Sequence, residues 1–234
     1  MVDAQAAHTD ADNLCAAFAQ VPHKSAAHEM FMSAASPGVV SLFFRNDHYK
    51  DHETYLFAIA EVMRHEYESV AKAGIVLQID CPDLAMGRHI QYADLPLPEF
   101  RKRAQMHVEA LNHALANIPA EQLRMHVCWG NYEGPHHCDV DFSSIIDIVF
   151  KAKPHAISFE AANPRHAHEW TVFRDRKSDI PDDKVLVPGV VDTTTNFVEH
   201  PELVAQRIER FVDIVGHERV IAGSDCGFGT FAGF

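Results

Sequence analysis

The chain has 234 residues, a formal net charge of −13 and 47% hydrophobic residues, a composition that allows one sizeable core. An acidic chain without a basic run is poorly suited to bind nucleic acid or an anionic membrane surface, so we expect neither partner. No apolar stretch reaches the roughly 20 residues of a membrane span, and residues 1–20 lack the pattern of a secretory signal. We therefore expect a cytoplasmic location.

Cysteine and histidine usage narrows the kind of chemistry to expect. The five cysteines are a sparse, odd-numbered set, which argues against a disulfide framework in a cytosolic chain and favours metal binding or catalysis by some of them. The 17 histidines are so many that a lone histidine carries little information.

The first 30 residues are predicted to form a helical or flexible segment that precedes one domain at residues 31–234. Short runs rich in β-branched residues predict strands at 38–44, 74–80, 124–129, 156–160, 185–191 and 219–226. Apolar residues spaced near the helical repeat predict helices at 51–73, 98–116, 143–152 and 201–215.

This alternation predicts an α/β fold with parallel strands joined by crossover helices. Polar and metal-binding residue types gather at the carboxyl ends of the strands, where (β/α)8 barrels place their sites. No GxGxxG motif follows the first strand, so a TIM barrel is favoured over a dinucleotide-binding fold. Six strands are two short of a closed barrel, so the barrel is predicted to be incomplete.

Four potential metal ligands lie at these strand ends. His126 and Cys128 alternate along one strand and therefore point to the same face, Glu160 ends the next strand, and Cys226 ends the last. Nitrogen and sulfur ligands suit Zn²⁺ better than Mg²⁺ or Ca²⁺. The sequence therefore predicts one zinc site made of His126, Cys128, Glu160 and Cys226.

This ligand set also predicts a type of chemistry. Two thiolates and one carboxylate make zinc a weak activator of water, but the ion still lowers the pKa of a bound thiol. We therefore expect a substrate thiol that attacks an electrophilic carbon as a thiolate. A structural zinc, for which closely spaced cysteine pairs are typical, and zinc-dependent hydrolysis or lyase chemistry remain alternatives.

Two further segments carry residues that can take part in binding. Arg165 has a planar guanidinium that suits a substrate carboxylate or sulfonate, although an ion pair with a surface acid is an alternative. Residues 131–138 are predicted to form a loop over the mouth of the site. His136, His137 and Cys138 in it can form a second metal site, but a solvent-exposed loop is the favoured interpretation.

Five short motifs occur in a familiar order. They are Leu-Gln-Ile-Asp at 77–80, Met-His-Val-Cys at 125–128 with Asn131, Ser-Phe-Glu at 158–160, Pro-Gly-Val-Val-Asp at 188–192 and Ser-Asp-Cys-Gly at 224–227. From about Ser36 to Gly229 the chain resembles the cobalamin-independent methionine synthase family. It is more similar to the compact single-barrel relatives of the catalytic half, which include the epoxyalkane:coenzyme M transferases.

The resemblance implies a (β/α)8 barrel with zinc bound at the four residues chosen above, and with Asp80 holding the amino group of homocysteine. It implies methyl transfer to a thiol, as in 5-methyltetrahydropteroyltriglutamate–homocysteine methyltransferase of methionine biosynthesis, or alkylation of a thiol by an epoxide. Asp80 and Asp192 are the predicted catalytic residues. Asp80, Asn131 and Arg165 are the predicted substrate-binding residues.

The chain departs from the family pattern in three places. Cys81 follows Asp80 where the synthases carry glutamate, and Thr194 stands where they carry a histidine that protonates the departing folate. Threonine is a poor proton donor near neutral pH, so methylfolate, methylcobalamin and an epoxide all remain candidate donors. The family's first two strands and its last helix are not recognisable. Three alternatives follow: the chain is a fragment, it closes its barrel against another chain or as a homo-oligomer, or its fold is altered. A non-catalytic barrel subunit is the alternative from another class.

Overall fold

The computed structural model describes residues 3, 5–22, 29–132 and 134–228. Its helices are α1 Gln5–Phe18, α2 Pro37–Phe43, α3 His52–Lys72, α4 Gly87–Ile90, α5 Leu97–Ala114, α6 Ile146–Val149, α7 Trp170–Asp175 and α8 Pro201–Val215. Its strands are β1 Phe31–Ala35, β2 Val76–Asp80, β3 Leu123–Val127, β4 Ala156–Phe159, β5 Val185–Val191 and β6 Gly223–Ser224.

The six strands form one sheet in chain order from β1 to β6, and every neighbouring pair is parallel. Because parallel neighbours need a crossover, the connections run outside the sheet and contain the helices. A strand order without reversal is the order of a (β/α) barrel, and within the described residues β1 and β6 each have a neighbour on one side only. The prediction of an incomplete α/β barrel is therefore confirmed.

The predicted first strand at 38–44 is wrong, because these residues form most of α2. The Ser36 side chain accepts a hydrogen bond from Val39 N, and Pro37 occupies the first helical position, so both helix-start signals precede the apolar run. The true first strand is β1, in which Phe31 pairs with Val76 and Ala35 with Asp80. The number of strands is as predicted, but the first one lies earlier in the chain.

The predicted helices at 51–73, 98–116 and 201–215 correspond to α3, α5 and α8. The Asp51 carboxylate caps α3 by accepting from Thr54 N at 2.8 Å, a common way to satisfy a first-turn N–H group. The segment at 143–152 is helical only over Ile146–Val149, after a short 3-10 turn at Phe142–Ser144. That helix is therefore shorter than its apolar spacing predicts.

The core lies between the sheet and its outer helices. Behind β4, the rings of Phe142, Phe159, Phe173 and Phe211 pack together, and Phe159 stacks on Phe173 with centroids 4.6 Å apart. This aromatic packing fixes the position of β4 from behind. No helix among the described residues is both long and apolar enough to cross a membrane.

The N-terminal helix α1 packs on the outside of α3. Ala11 is buried there, and the Cys15 thiol lies 3.8 Å from the carbonyl oxygen of Ala73. The boundary of the domain at residue 30 remains a prediction.

Candidate metal centre

The carboxyl end of β3 supplies the first two side chains of the centre. His126 belongs to β3, and Cys128 follows one residue after its end, so the two side chains share one face of the strand. β3 lies in the middle of the sheet, with Asp80 of β2 beside His126 on one side and Ser158 of β4 on the other. His126 is therefore buried at a fixed depth near the strand ends.

Cys226, in the segment that follows β6, lies next to these two residues. Its Sγ lies 3.0 Å from Nε2 of His126 and 3.2 Å from Sγ of Cys128. The ligand atoms of the three residues all lie within 4.8 Å of one another, although about 100 residues separate them in the chain. Both cysteines are free, because no disulfide joins them. The structure therefore brings three of the four predicted ligands together.

The hydrogen bonds within this group shift the pKa values of its two cysteines in opposite directions. The hydrogen bond from Cys128, together with His126, outweighs burial and lowers the pKa of Cys226 to about 6. The same contact with Cys226, with burial added, raises the pKa of Cys128 well above its ordinary value. Burial opposes the charged form of His126, but the hydrogen bond to Cys226 and the charges of Cys226, Asp80 and Glu160 together outweigh it and raise the pKa of the imidazole. Cys226 is thus the thiol most ready to be a thiolate near neutral pH.

The His126 ring is oriented by a neighbour on the next strand. Nδ1 of His126 lies 3.2 Å from Oγ of Ser158, which leaves Nε2 directed at the cysteines. A metal-binding imidazole commonly has its second nitrogen held by such a partner. The arrangement fits an imidazole prepared to bind through Nε2.

Glu160, the fourth predicted ligand, is buried beside the group but does not belong to it. Its Oε1 accepts from Trp129 N at 2.9 Å and its Oε2 accepts from the Asn163 amide at 2.8 Å. The charge of Glu160 contributes to raising the pKa of His126, so its carboxylate acts on the group electrostatically.

Asp225 supports the turn that carries Glu160, and the sequence alone assigned it no role. It is fully buried, and its carboxylate accepts from the N–H groups of Ala161, Ala162 and Asn163 and from the Asn163 amide, at 2.7–2.9 Å. Burial raises the pKa of Asp225, against the effect of these four donors. Because Asp225 and Cys226 are adjacent, one segment supplies both a ligand and this clamp. The sequence signal that could have indicated this role is the position of Asp225 between Ser224 and Cys226.

Asp80 lies at the end of β2 and is partly buried. Its Oδ1 accepts a hydrogen bond from Gln78 at 2.7 Å, and its charge helps to raise the pKa of His126. Asn131 lies in the loop after β3, is buried, and has a positive φ of 43°. Its amide donates to Oγ1 of Thr193 at 3.0 Å, which joins the loops after β3 and β5.

Arg165 lies in the loop after β4, close to Glu160. Its Nη1 donates to the carbonyl oxygen of Tyr132 at 3.2 Å, and its Nη2 lies 3.9 Å from Oε2 of Glu160. Its Nε and Nη2 are buried and form no hydrogen bond within the described part of the chain. These two nitrogens of the planar guanidinium are therefore candidates to bind an anion.

Asp192, by contrast, is engaged within its own loop. Its Oδ1 accepts from both the backbone N–H and the hydroxyl of Thr194, each at 2.8 Å. Its own N–H donates to Glu199 at 2.8 Å. These are the contacts of a residue that shapes the turn after β5.

A second group of potential ligands lies in the neighbouring loops. His136, Asp139 and His166 have their ligand atoms within 4.8 Å of one another, and His166 stacks on Trp129 with ring centroids 4.1 Å apart. His137 and Cys138 are exposed, and they do not belong to this group. Nothing in the sequence indicated Asp139. The alternative of a second metal site grouped His136 with His137 and Cys138 instead.

The fold and the His126, Cys128 and Cys226 group define an α/β-barrel protein with a candidate metal centre at the carboxyl ends of its strands. The chain belongs to the family described as cobalamin-independent synthase, catalytic domain, whose family model matches residues 38–233. The resemblance found in the sequence motifs is therefore confirmed.

Two methionine synthases and a 2-hydroxypropyl-CoM lyase are similar in sequence to this chain. A methionine synthase of Thermococcus kodakarensis is 28% identical over 192 residues, which cover 82% of this chain and 48% of that protein. One from Saccharolobus solfataricus is 26% identical over 199 residues, covering 84% and 51%. A 2-hydroxypropyl-CoM lyase of Xanthobacter autotrophicus is 23% identical over 204 residues, covering 77% and 50%. The chain thus spans about half the length of these relatives.

A solved structure supports the fold. The B12-independent methionine synthase of a Shewanella species superposes with a TM-score of 0.70 at 18% sequence identity, covering 97% of this chain and 61% of that one. At this identity the likeness supports the barrel architecture alone.

Proposed function

We propose that this chain is a zinc-dependent methyltransferase that methylates a thiol, with homocysteine as the preferred acceptor, as in methionine biosynthesis. The observation that carries the proposal is the convergence of His126 Nε2, Cys128 Sγ and Cys226 Sγ within 4.8 Å. Family membership and the methionine synthase relatives support the same activity. We also propose that the protein is cytoplasmic.

The donor set fits zinc. One imidazole and two thiols are the ligand types that zinc prefers over harder cations, and the low pKa of Cys226 favours the thiolate that a metal needs. Glu160 is the proposed fourth ligand, since its buried carboxylate lies beside the group. When bound, zinc lowers the pKa of a coordinated substrate thiol and so supplies the nucleophile.

The surrounding residues suit an amino-acid thiol. The Asp80 carboxylate next to His126 is proposed to bind the amino group of homocysteine, and Gln78 holds this carboxylate in place. Nε and Nη2 of Arg165 form no hydrogen bond with a described residue and suit the substrate carboxylate, because a guanidinium can bind it through two parallel hydrogen bonds. Asn131 is a further proposed substrate contact in the same mouth of the barrel.

Asp192 and Thr194 bear on the methyl donor. The Thr194 hydroxyl donates to Asp192, so it forms part of the turn after β5 and is a poor acid for a departing folate. We therefore assign Asp192 to the donor side of the reaction, and we keep methylfolate and methylcobalamin as the donors to be compared.

A second candidate is alkylation of coenzyme M by an epoxide. It is supported by the match to a 2-hydroxypropyl-CoM lyase, whose covered share is similar to that of the methionine synthases. In this case Arg165 would bind a sulfonate in place of a carboxylate. A non-catalytic subunit is the third candidate, because the chain spans half of its relatives, but the retained His126, Cys128 and Cys226 group argues against it.

Product analysis by mass spectrometry tests these alternatives. Zinc-loaded protein is incubated with homocysteine or coenzyme M and with methyltetrahydrofolate, methylcobalamin or an epoxide in turn. We expect methionine from homocysteine and one methyl donor, and a loss of more than about 100-fold in the Cys226→Ser variant. Cys138→Ser, which alters an exposed cysteine, is the matched control and should keep its activity. Absence of any alkylated thiol in every combination would contradict the proposal.

A further inference from the structure

Three loops that follow successive strands bring imidazole nitrogens to one carboxylate. Nδ1 of His136 and Nε2 of His166 lie 2.7 Å and 3.1 Å from Oδ2 of Asp139. Nδ1 of His89 lies 3.5 Å from the other oxygen of the same carboxylate. His89 belongs to α4 after β2, His136 and Asp139 to the loop after β3, and His166 to the loop after β4. The cluster is thus built by the fold at the carboxyl ends of the strands.

The rings are held in position from their far sides. Nδ1 of His166 lies 2.9 Å from Oε2 of Glu169, and Nε2 of His136 lies 3.1 Å from the carbonyl oxygen of Tyr132. Histidines that bind a metal through one nitrogen usually donate the other N–H to a carboxylate or a backbone carbonyl. Both histidines therefore have the second hydrogen bond that is typical of metal-bound histidines. Both side chains are at least nine-tenths buried, with exposures of 2% and 5%.

The contacts of the two rings favour a cation at the centre. His136 and His166 each face an oxygen acceptor at both ring nitrogens, whereas a neutral imidazole carries one N–H donor. A divalent ion bound to the two inner nitrogens removes the need for a second donor on each ring. It also gives a partner to Nδ1 of His89, which is buried and forms no hydrogen bond with any described residue.

We propose that His136, Asp139 and His166, with His89 as a further ligand, bind a second metal ion, a divalent first-row transition metal such as Zn²⁺. Imidazole with carboxylate suits these ions better than Ca²⁺ or Mg²⁺, and the absence of sulfur separates this ligand set from Cys128 and Cys226. The carboxylates of Asp139 and Glu169 lie on either side of His166 and favour a cation in the same place.

The position of this second site indicates a structural role next to the first. It fastens the loop after β3 to the loop after β4, and the latter contains Asn163 and Arg165, which contact Glu160. Trp129 links the two groups, because its ring stacks on His166 while its backbone N–H donates to Glu160. The second ion would thus hold the mouth of the barrel around the proposed thiol site.

Metal content measured by plasma mass spectrometry tests the site. The protein is loaded with Zn²⁺, desalted, and compared with His136→Gln, Asp139→Asn, Cys226→Ser and the double variant His136→Gln/Cys226→Ser. We expect two ions in the unaltered chain, one in each single variant and none in the double variant. His137→Gln, which changes the exposed neighbouring histidine, should retain two. Far-UV circular dichroism identifies any variant that fails to fold.

Cobalt substitution separates this proposal from the thiol chemistry. Co²⁺ at Cys128 and Cys226 should give an intense sulfur-to-metal charge-transfer band, whereas Co²⁺ bound by nitrogen and oxygen should give only weak visible bands. We expect Cys226→Ser to lose the intense band and keep one cobalt, and His136→Gln to keep the band and lose one cobalt. If His136→Gln and Asp139→Asn both hold as much metal as the unaltered chain, the cluster is an ion-pair network and the second site is refuted.

Discussion

Two adjacent residues that follow β6 have different roles at the candidate centre. Cys226 faces His126 and Cys128, while Asp225 binds the turn at residues 161–163 that follows Glu160. Because the two residues are adjacent, one short segment after β6 supplies both contacts. The placement of Glu160 beside the cysteines therefore depends on a neighbour of a ligand as well as on the ligands.

Substitution of Asp225 by asparagine should separate its clamp role from the metal ligands. The NH₂ group of asparagine would face backbone N–H groups whose hydrogen bonds the carboxylate now accepts. We therefore expect the free energy of unfolding to fall by about 2–3 kcal/mol. Urea denaturation measures the change. Asp213→Asn, at an exposed position on α8, is the matched control and should stay within about 0.5 kcal/mol. Equal effects of the two substitutions would show that Asp225 is not a clamp.

The sequence was sufficient to propose which ligands meet, but not how they are held. Strand alternation and the parallel strand order are enough to predict that His126, Cys128 and Cys226 lie at one end of the sheet. The contact of His126 with Ser158 depends on the register of β3 and β4. The contacts of Asp225, and those of His89 and His166 with Asp139, depend on packing between loops that are distant in the chain. Such contacts leave no periodic pattern in a single sequence.

At the scale of elements, β5 and the segment after β6 approach each other too closely for a side chain. A Cβ atom on Gly189 would lie 2.1 Å from Oδ1 and 2.6 Å from Cα of Asp225. Because one of these atoms is backbone, the close contact cannot be relieved by a rotamer change alone. Glycine at 189 is therefore required for the approach that brings Cys226 to His126.

Gly189→Ala should thus destabilise the protein by about 1–3 kcal/mol and weaken zinc binding, because β6 must shift to accept the methyl group. Thermal unfolding and zinc titration measure the two effects. Gly87→Ala is a suitable control, since its Cβ would meet no atom closer than 4.0 Å and alanine favours the helix. A Gly189→Ala protein with unchanged stability and zinc affinity would contradict this account.

The error in the first strand also belongs to this scale. The run at 38–44 is apolar and β-branched, which favours a strand, but Ser36 and Pro37 before it are strong helix-start signals. β1 has the sequence Phe-Met-Ser-Ala-Ala and lacks β-branched residues, so its pairing with β2 determines its conformation more than its propensity does. The strands β2 to β5 contain the β-branched residues that β1 lacks, and they lie within or overlap the predicted runs.

At the scale of the whole molecule, metal binding and folding should be coupled. The proposed thiolate ligands Cys128 and Cys226 follow β3 and β6, so they are close together only in the folded chain. Zinc at 100 times its dissociation constant should therefore add about 2.7 kcal/mol to the free energy of unfolding. Calorimetry with zinc and with a chelator measures this as a rise and a fall of the melting temperature. No response in the unaltered chain would contradict zinc binding at the folded centre.

The open sheet should also affect association. Among the described residues β1 and β6 each pair along one edge, and unpaired strand edges attract further strands. We expect light scattering after size exclusion to give a mass above the 26.2 kDa of one chain, or a complex when a completing chain is present. A compact monomer that stays soluble at high concentration would show that the edges need no partner.

The central proposal is that a substrate thiol binds the metal held by His126, Cys128 and Cys226. The most direct measurement is the absorption spectrum of the cobalt-substituted His136→Gln protein during titration with homocysteine and with coenzyme M, because cobalt then reports only this centre. We expect the sulfur-to-cobalt charge-transfer band to grow and shift as one of these thiols enters the coordination sphere. A spectrum that no thiol changes would contradict the account.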